Sequence, residues 1–140
     1  MFATLSCNAC GAALSGRIEV LRAADPEKVG LTFVDGKPLT QPGTGFTSLQ
    51  PMQWSMDESH KVPLRFTPQY WLNPEDVDTA IEPVDDPCRL NGCCGFDGSN
   101  GPNMRCQKCK AEVGTRQSDC WTADVFIPES NATCWLEEEA

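Results

Sequence analysis

Residues 7–14 read Cys-Asn-Ala-Cys-Gly-Ala-Ala-Leu, and residues 106–114 read Cys-Gln-Lys-Cys-Lys-Ala-Glu-Val-Gly. Both follow the pattern Cys-x-x-Cys-x-Ala-x-(Leu/Val), which indicates a degenerate internal repeat of one turn followed by a strand. A Cys-x-x-Cys turn places two thiolates on one side of a tight loop, where both can reach one Zn²⁺ at about 2.3 Å. The sequence therefore predicts one tetrahedral zinc site, with the ligands Cys7, Cys10, Cys106 and Cys109.

The predicted zinc is structural, because four thiolates leave no open position for a substrate. A redox role for one of the pairs is the alternative, but a redox Cys-x-x-Cys usually opens a helix in a βαβ unit. Both pairs here lead into β-like segments. Cys10 and Cys106 are 96 positions apart, so the metal would tie the N-terminal segment to the last quarter of the chain. We therefore expect metal binding and folding to be coupled.

A four-thiolate zinc site carries a net charge of about −2. Three basic residues stand beside or within the second pair: Arg105, Lys108 and Lys110. We expect them to offset the charge of the sulfurs and to donate hydrogen bonds to them.

Five of the nine cysteines lie outside the predicted site. Cys88, Cys93 and Cys94 stand in a loop rich in Gly, Asp and Asn, with Cys120 downstream. These four could form a second metal site, or Cys88 could form a disulfide with Cys93 or Cys94, and the sequence leaves both alternatives open. Cys120 and Cys134 also suit small buried apolar positions.

The composition predicts one β-dominated domain over residues 1–140, with little helix and long loops. Hydrophobic residues make up 40% of the chain, and eleven glycines and eleven prolines favour turns over long helices. Alternating or β-branched runs predict strands at 17–22, 30–34, 110–117, 120–127 and 133–136. A loop-rich insertion is predicted around residues 40–103, in which Asn73 and Pro74 could begin a short helix. The four tryptophans favour core positions, with an aromatic cage for a small ligand as the alternative.

The net charge of −9 argues against a nucleic-acid partner, which would need a basic surface. No run of about 18 apolar residues is present, so no membrane partner is expected. Residues 1–7 carry neither a basic segment nor a long apolar run, so a secretory signal is not expected. A cytoplasmic location follows as the expectation, and it favours metal binding over disulfides.

Two Cys-x-x-Cys turns, one near each end of a β-rich domain, resemble the β-tent zinc fold. That fold occurs in Yippee-like proteins, in the thalidomide-binding domain of cereblon and in methionine-R-sulfoxide reductases. Residues 106–114 are similar to their Cys-x-x-Cys-x-x-x-(Leu/Val)-Gly pattern, and residues 7–14 are similar to their first turn. The resemblance implies two small antiparallel sheets pinned together by zinc, with an insertion between the turns.

The resemblance also suggests an enzyme. In the reductases a nucleophilic cysteine lies on a strand beyond the second turn, where this chain has Cys120 and Cys134. The histidines and the Arg-Tyr pair of that family are missing, because Gly114 is followed by Thr-Arg-Gln and Cys134 is preceded by Ala-Thr. The predicted function is therefore a zinc-stabilised domain that binds a protein or a small ligand without catalysis. The alternative is a thiol-based methionine sulfoxide reductase that uses Cys134 or Cys120.

Overall fold

The computed structural model describes residues 2–23, 26–32, 34, 36–48, 52–53, 62–63, 70–90, 92, 95–96, 102–118 and 123–138. Within them the regular structure is strands and short 3₁₀ turns, so the prediction of a mainly β chain with little helix is confirmed. The strands are β1 (Phe2–Cys7), β2 (Ala13–Ala23), β3 (Thr44–Ser48), β4 (Met52–Gln53), β5 (Val62–Pro63), β6 (Tyr70–Leu72), β7 (Ile81–Pro83), β8 (Met104–Cys106), β9 (Glu112–Gln117), β10 (Val125–Pro128) and β11 (Thr133–Glu137). In the described ranges no helix has the length and apolar character needed to cross a bilayer.

Nine strands form one continuous sheet in the order β11-β1-β2-β3-β6-β10-β9-β8-β7, and β4 pairs with β5 in a separate ribbon. Strands β2 and β3 are parallel, and every other neighbouring pair in the large sheet is antiparallel. The expectation of two small antiparallel sheets is therefore not exact, because the structure has one large sheet that includes a parallel pair. The reason is β6, which hydrogen-bonds to β3 on one side and to β10 on the other and joins the two halves.

The sheet must curl strongly, because its two cysteine-bearing hairpins meet. Hairpins β1–β2 and β8–β9 stand five strand positions apart, which is about 24 Å across a flat sheet. The sulfurs of the two hairpins nevertheless lie within 4.8 Å of one another. The main core occupies the space enclosed by the curled sheet and includes Leu5, Leu14, Val113 and Phe126, each at most 1% exposed.

The centre of the sheet is covered on both faces. On β10, Phe126 packs in the main core, whereas Val125 and Ile127 belong to a second cluster with Phe46 and Trp71. This alternation matches the period-2 pattern read from the sequence, since successive side chains of a strand point to opposite faces. Residues 120–122 of the strand predicted at 120–127 lie outside the described residues.

The outer strands connect the two halves of the chain. Strand β11, from the end of the chain, flanks β1, and β7, which precedes the second cysteine hairpin in sequence, flanks β8. The hairpin β1–β2 in the N-terminal half of the chain (β1 to β7) is therefore flanked by the last strand of the C-terminal half (β8 to β11). The hairpin β8–β9 is flanked by the last strand of the N-terminal half. This arrangement holds both hairpins at the same end of the fold, where the cysteines face one another.

The strands predicted at 17–22, 110–117 and 133–136 match β2, β9 and β11. The strand predicted at 30–34 is wrong for residues 30–32 and 34. A 3₁₀ turn at Pro26–Val29 ends there, and Leu31 N–H donates back to the carbonyl of Pro26, so the backbone winds instead of extending. Within the predicted insertion at 40–103, the structure places β3 and β6 at the middle of the large sheet.

Candidate metal centre

The two cysteine turns have the same backbone geometry. Cys7 N–H donates to the carbonyl of Ala12 and Cys106 N–H to the carbonyl of Ala111, both at 2.8 Å. A return bond from the fifth residue of each turn to the carbonyl of its first cysteine is also 2.8 Å long in both. These equivalences follow the alignment of residues 7–14 with 106–113, so the structure confirms the internal repeat at these two turns.

The fifth residue of each turn has a positive φ, 74° at Gly11 and 66° at Lys110. This left-handed conformation reverses the chain after the second cysteine and aims both thiols of a pair to one side. Each turn is also anchored to the residue that precedes its outer strand, β11 or β7. Asn8 N–H donates to the carbonyl of Ala132 at 2.9 Å, and Gln107 N–H donates to the carbonyl of Ala80 at 3.0 Å.

The structure brings together all four cysteines predicted as ligands. The Sγ atoms of Cys7 and Cys109 are 3.6 Å apart, and those of Cys10 and Cys106 are 3.8 Å apart. Each of these two pairs joins one turn to the other. The separations are far longer than a disulfide bond of about 2.05 Å. The four thiols form a group that could hold a metal ion.

The surroundings of the cluster are asymmetric, because Cys7 and Cys106 are 1% exposed whereas Cys109 is exposed. Burial raises the pKa of Cys106, but backbone N–H groups of Cys109 and Lys108 and the neighbouring thiols donate to it, so its pKa is lowered. The Ala111 N–H lowers the pKa of Cys109, yet desolvation and hydrogen bonds to the other thiols raise it to about 11. Because four thiolates repel one another, ionising all of them needs a compensating cation, which a bound divalent metal supplies.

The basic residues near the second turn bind a carboxylate. Arg105 donates to Glu82 Oε2 from Nε at 2.9 Å and from Nη2 at 2.7 Å, and Lys110 Nζ donates to Glu82 Oε1 at 2.9 Å. Arg105 also pairs with Asp85 at 3.1 Å. The expected hydrogen bonds from these two side chains to the sulfurs are therefore replaced by an ion-pair network on β7. Backbone N–H groups supply the donors to the second turn's sulfurs.

Other predicted site residues lie apart from this cluster. Cys134 is half-buried on β11 opposite Ser6, and Cys88 is exposed in the 3₁₀ turn Pro87–Arg89. Cys93, Cys94 and Cys120 lie outside the described residues, so the second metal site and the disulfide remain untested.

Two of the four tryptophans are described, and both pack against neighbouring aromatic rings. Trp71 is 2% exposed, and its ring centroid lies 5.8 Å from that of Phe46. The ring centroids of Trp135 and Tyr70 are 5.0 Å apart. Trp71 is thus a core residue, as expected. Trp54 and Trp121 lie outside the described residues, so the aromatic cage is untested.

Comparison of the chain with protein-family models, with curated proteins and with solved structures gave no significant match.

Proposed function

We propose that Cys7, Cys10, Cys106 and Cys109 bind one structural Zn²⁺, and that the chain is a zinc-stabilised β domain that binds a protein or a small ligand without catalysing a reaction. The observation that carries the proposal is the pair of sulfur separations, 3.6 and 3.8 Å. Ligands at about 2.3 Å from a tetrahedral zinc stand about 3.8 Å from one another. A four-sulfur donor set favours zinc or iron over hard cations.

Two further features support this proposal. The four ligands come from two turns with matching hydrogen bonds, so the backbone fixes the position of all four cysteines. Two facing hairpins that share one sulfur cluster also support the proposed relationship to the β-tent fold. A reducing cytoplasm would keep the thiols available as metal ligands.

Metal analysis of the purified chain tests the zinc assignment. We expect about one zinc per chain in the parent protein and loss of most of it in Cys106→Ser, since serine replaces a thiolate with a poor ligand. The matched control is Cys134→Ser, which changes a cysteine outside the cluster and should retain the metal. Iron in place of zinc, or equal metal content in Cys106→Ser and the parent, would contradict the proposal.

An activity assay separates the binding role from the reductase alternative. Such an enzyme needs a thiolate that a cationic neighbour stabilises, and the residues on either side of Cys134 in sequence, Thr133 and Trp135, are uncharged. We expect no methionine sulfoxide turnover by the zinc-loaded chain and no thiol with fast peroxide reactivity. Turnover that disappears in Cys134→Ser, or in Cys120→Ser, would establish the reductase instead.

A further inference from the structure

A groove of about 400 Å³ lies outside the sulfur cluster and none of the four cysteines lines it. We call it the polar groove, after the polar residues among its walls: Thr40, Asn73, Glu75, Asp78, Arg116 and Asp124. Its volume lies in the range of small-ligand sites in proteins.

The walls of the polar groove are held by hydrogen bonds. Asn73 Nδ2 donates to the carbonyl of Thr40 at 2.8 Å, and its Oδ1 caps the next turn by accepting from Glu75 N–H. Asp124 N–H donates to the carbonyl of Lys37 at 2.9 Å. The backbone of Arg116 is held by the fully buried Asn103, which donates to its carbonyl and accepts from its N–H. The groove is therefore largely preformed.

Three buried polar atoms in the walls lack a hydrogen-bond partner: Thr40 Oγ1, Arg116 Nε and Asp124 Oδ1. Thr40 is only 3% exposed. Arg116 Nε stands 3.5 Å from Asp124 Oδ1, and Arg116 Nη1 stands 3.6 Å from Asp78 Oδ1. These ion pairs are too long for good hydrogen bonds. The walls of the groove thus hold one unsatisfied donor, one unsatisfied acceptor and one unsatisfied hydroxyl that can do either.

The charge of the groove is unbalanced. Glu75, Asp78 and Asp124 supply three carboxylates, against the single guanidinium of Arg116. Burial raises the pKa of Asp124, and the charges of Asp78 and Glu75 add to that effect while Arg116 opposes it. A positively charged group would relieve this excess of negative charge.

A metal ion fits this lining less well than an organic cation. In the part of the chain that the structure describes, the close group of metal-type ligands is the four cysteines, and the carboxylates of the groove do not converge in that way. A guanidinium in the middle of the lining also repels a metal. The ligand should therefore be extended, with an ammonium group for the carboxylates and an oxygen acceptor for Arg116 Nε.

We propose that the polar groove binds a small ligand with a protonated α-amine beside a neutral carbonyl oxygen, the chemistry shared by an amino-acid amide and by the N-terminus of a peptide. Asp124 Oδ1 accepts from the ammonium group, Arg116 Nε donates to the carbonyl, and Thr40 Oγ1 hydrogen-bonds to either group. This ligand class specifies the binding role proposed above and rests on it, although the groove contains no cysteine ligand.

An NMR titration of the zinc-loaded full chain tests the proposal at about pH 6.5, where an α-amine is protonated. The probes are L-alaninamide and trialanine, which represent the two sources of the shared chemistry. We expect saturable shifts at Thr40, Arg116 and Asp124 with at least one of them. N-acetyl-L-alaninamide lacks the ammonium group and should not bind. L-alanine adds a carboxylate and should bind more weakly than its amide, since the groove is net negative.

Two groove variants and one control locate the binding. Asp124→Asn should weaken binding roughly tenfold, because it removes a charged acceptor, and Thr40→Val should weaken it without a change of side-chain shape. Glu138→Gln removes an exposed carboxylate outside the groove and should bind like the parent. No saturable binding of either probe, equal binding of the acetylated probe, or equal affinity in Asp124→Asn and Glu138→Gln would overturn the proposal.

The zinc content and melting temperature of each variant are measured on the same samples. A loss of probe binding with zinc and melting unchanged is the supporting result for Asp124→Asn. If the parent binds one zinc and neither probe, the ligand assignment fails while the zinc assignment stands. If the parent binds no zinc, the zinc assignment fails, and the probe titration still decides the ligand assignment.

Discussion

Glu82 is the residue that links the second cysteine turn to its outer strand. It lies on β7 directly opposite Arg105 on β8, and it accepts hydrogen bonds from Arg105 and Lys110, which flank the cysteines. Arg105 and Lys110 could be picked out from the sequence by their position, but their partner could not. The register that places Glu82 beside them depends on the pairing of β7 with β8, and no local pattern encodes that pairing.

Replacing Glu82 with glutamine should make the chain less stable near neutral pH but not in acid. Hydrogen bonds from Lys110 and Arg105 lower the pKa of Glu82 from its ordinary value of 4.5. Because the folded-state pKa is below the unfolded one, the ionised carboxylate stabilises the fold above about pH 4.5. That contribution is lost as the pH falls through the lowered pKa. Urea unfolding of parent and Glu82→Gln between about pH 7 and pH 3 should show a difference that shrinks toward acid.

The matched control is Glu138→Gln in the other half of the sheet. Glu138 pairs with Arg17 at 2.9 Å, and both side chains are about half exposed, so this pair should matter less. A stability difference for Glu82→Gln that stays constant with pH, or that equals the effect of Glu138→Gln, would contradict the role assigned to Glu82.

At the scale of elements, the two cysteine hairpins differ in how closely the neighbouring strands approach them. Gly114, on β9, pairs with Met104 on β8 and with Pro128 on β10. A Cβ atom at this position would lie 2.6 Å from the carbonyl oxygen of Ile127 and 2.7 Å from Phe126 Cε1. The glycine of the second turn's sequence pattern therefore has a packing reason, because it admits the ring of Phe126 to the core.

Gly114→Ala should lower the free energy of unfolding by about 1–3 kcal/mol, the usual cost of overpacking a core. The obstacle includes backbone, so a rotamer change of Phe126 alone would not relieve it. Chemical denaturation measures the change. The control is Gly16→Ala on β2, where a Cβ would have no atom within 4 Å and the φ is not positive. Equal stability of the two variants would show that β10 does not approach β9 as described.

At the scale of the whole molecule, the sequence was informative about the repeated turns and less so about what joins them. Two spaced Cys-x-x-Cys patterns are local signals, and the structure brings all four sulfurs together. The middle of the chain is different, because β3 and β6 are short and lie among prolines and glycines that predict loops. Their strand character comes from pairing with each other and with β2 and β10, a long-range property.

The polar groove was also not predicted, for a related reason. Thr40 is far in sequence from Arg116 and Asp124, and none of the three belongs to a recognisable motif. They meet because the segment before β3 crosses toward the segment before β10, where Pro38 forms a bridge with Asp124.

Removing the proposed zinc should destabilise the entire domain. The cluster links residues 96 positions apart, and a crosslink that closes a loop of this size contributes on the order of 4–5 kcal/mol in the chain-entropy estimate. For a domain of this length the melting temperature should fall by about 15 °C. Thermal unfolding followed by circular dichroism, with and without a strong chelator, measures the shift.

Restoring zinc to the chelated sample should restore the original melting temperature, which separates metal loss from irreversible damage. An unchanged melting curve in a sample whose metal loss has been verified would show that the sulfur cluster does not hold the fold together.

The exchange of outer strands bears on how such a chain could originate. Each half brings one cysteine turn and two of the four sulfurs, and its last strand completes the hairpin of the other half. A chain with only one of these halves would leave its cluster half-made and its hairpin without a flanking strand. Two copies could satisfy both needs by trading strands across a twofold axis. In this chain the likeness to such a dimer is confined to the two hairpins and their flanking strands, because β2 and β3 are parallel whereas β9 and β10 are antiparallel.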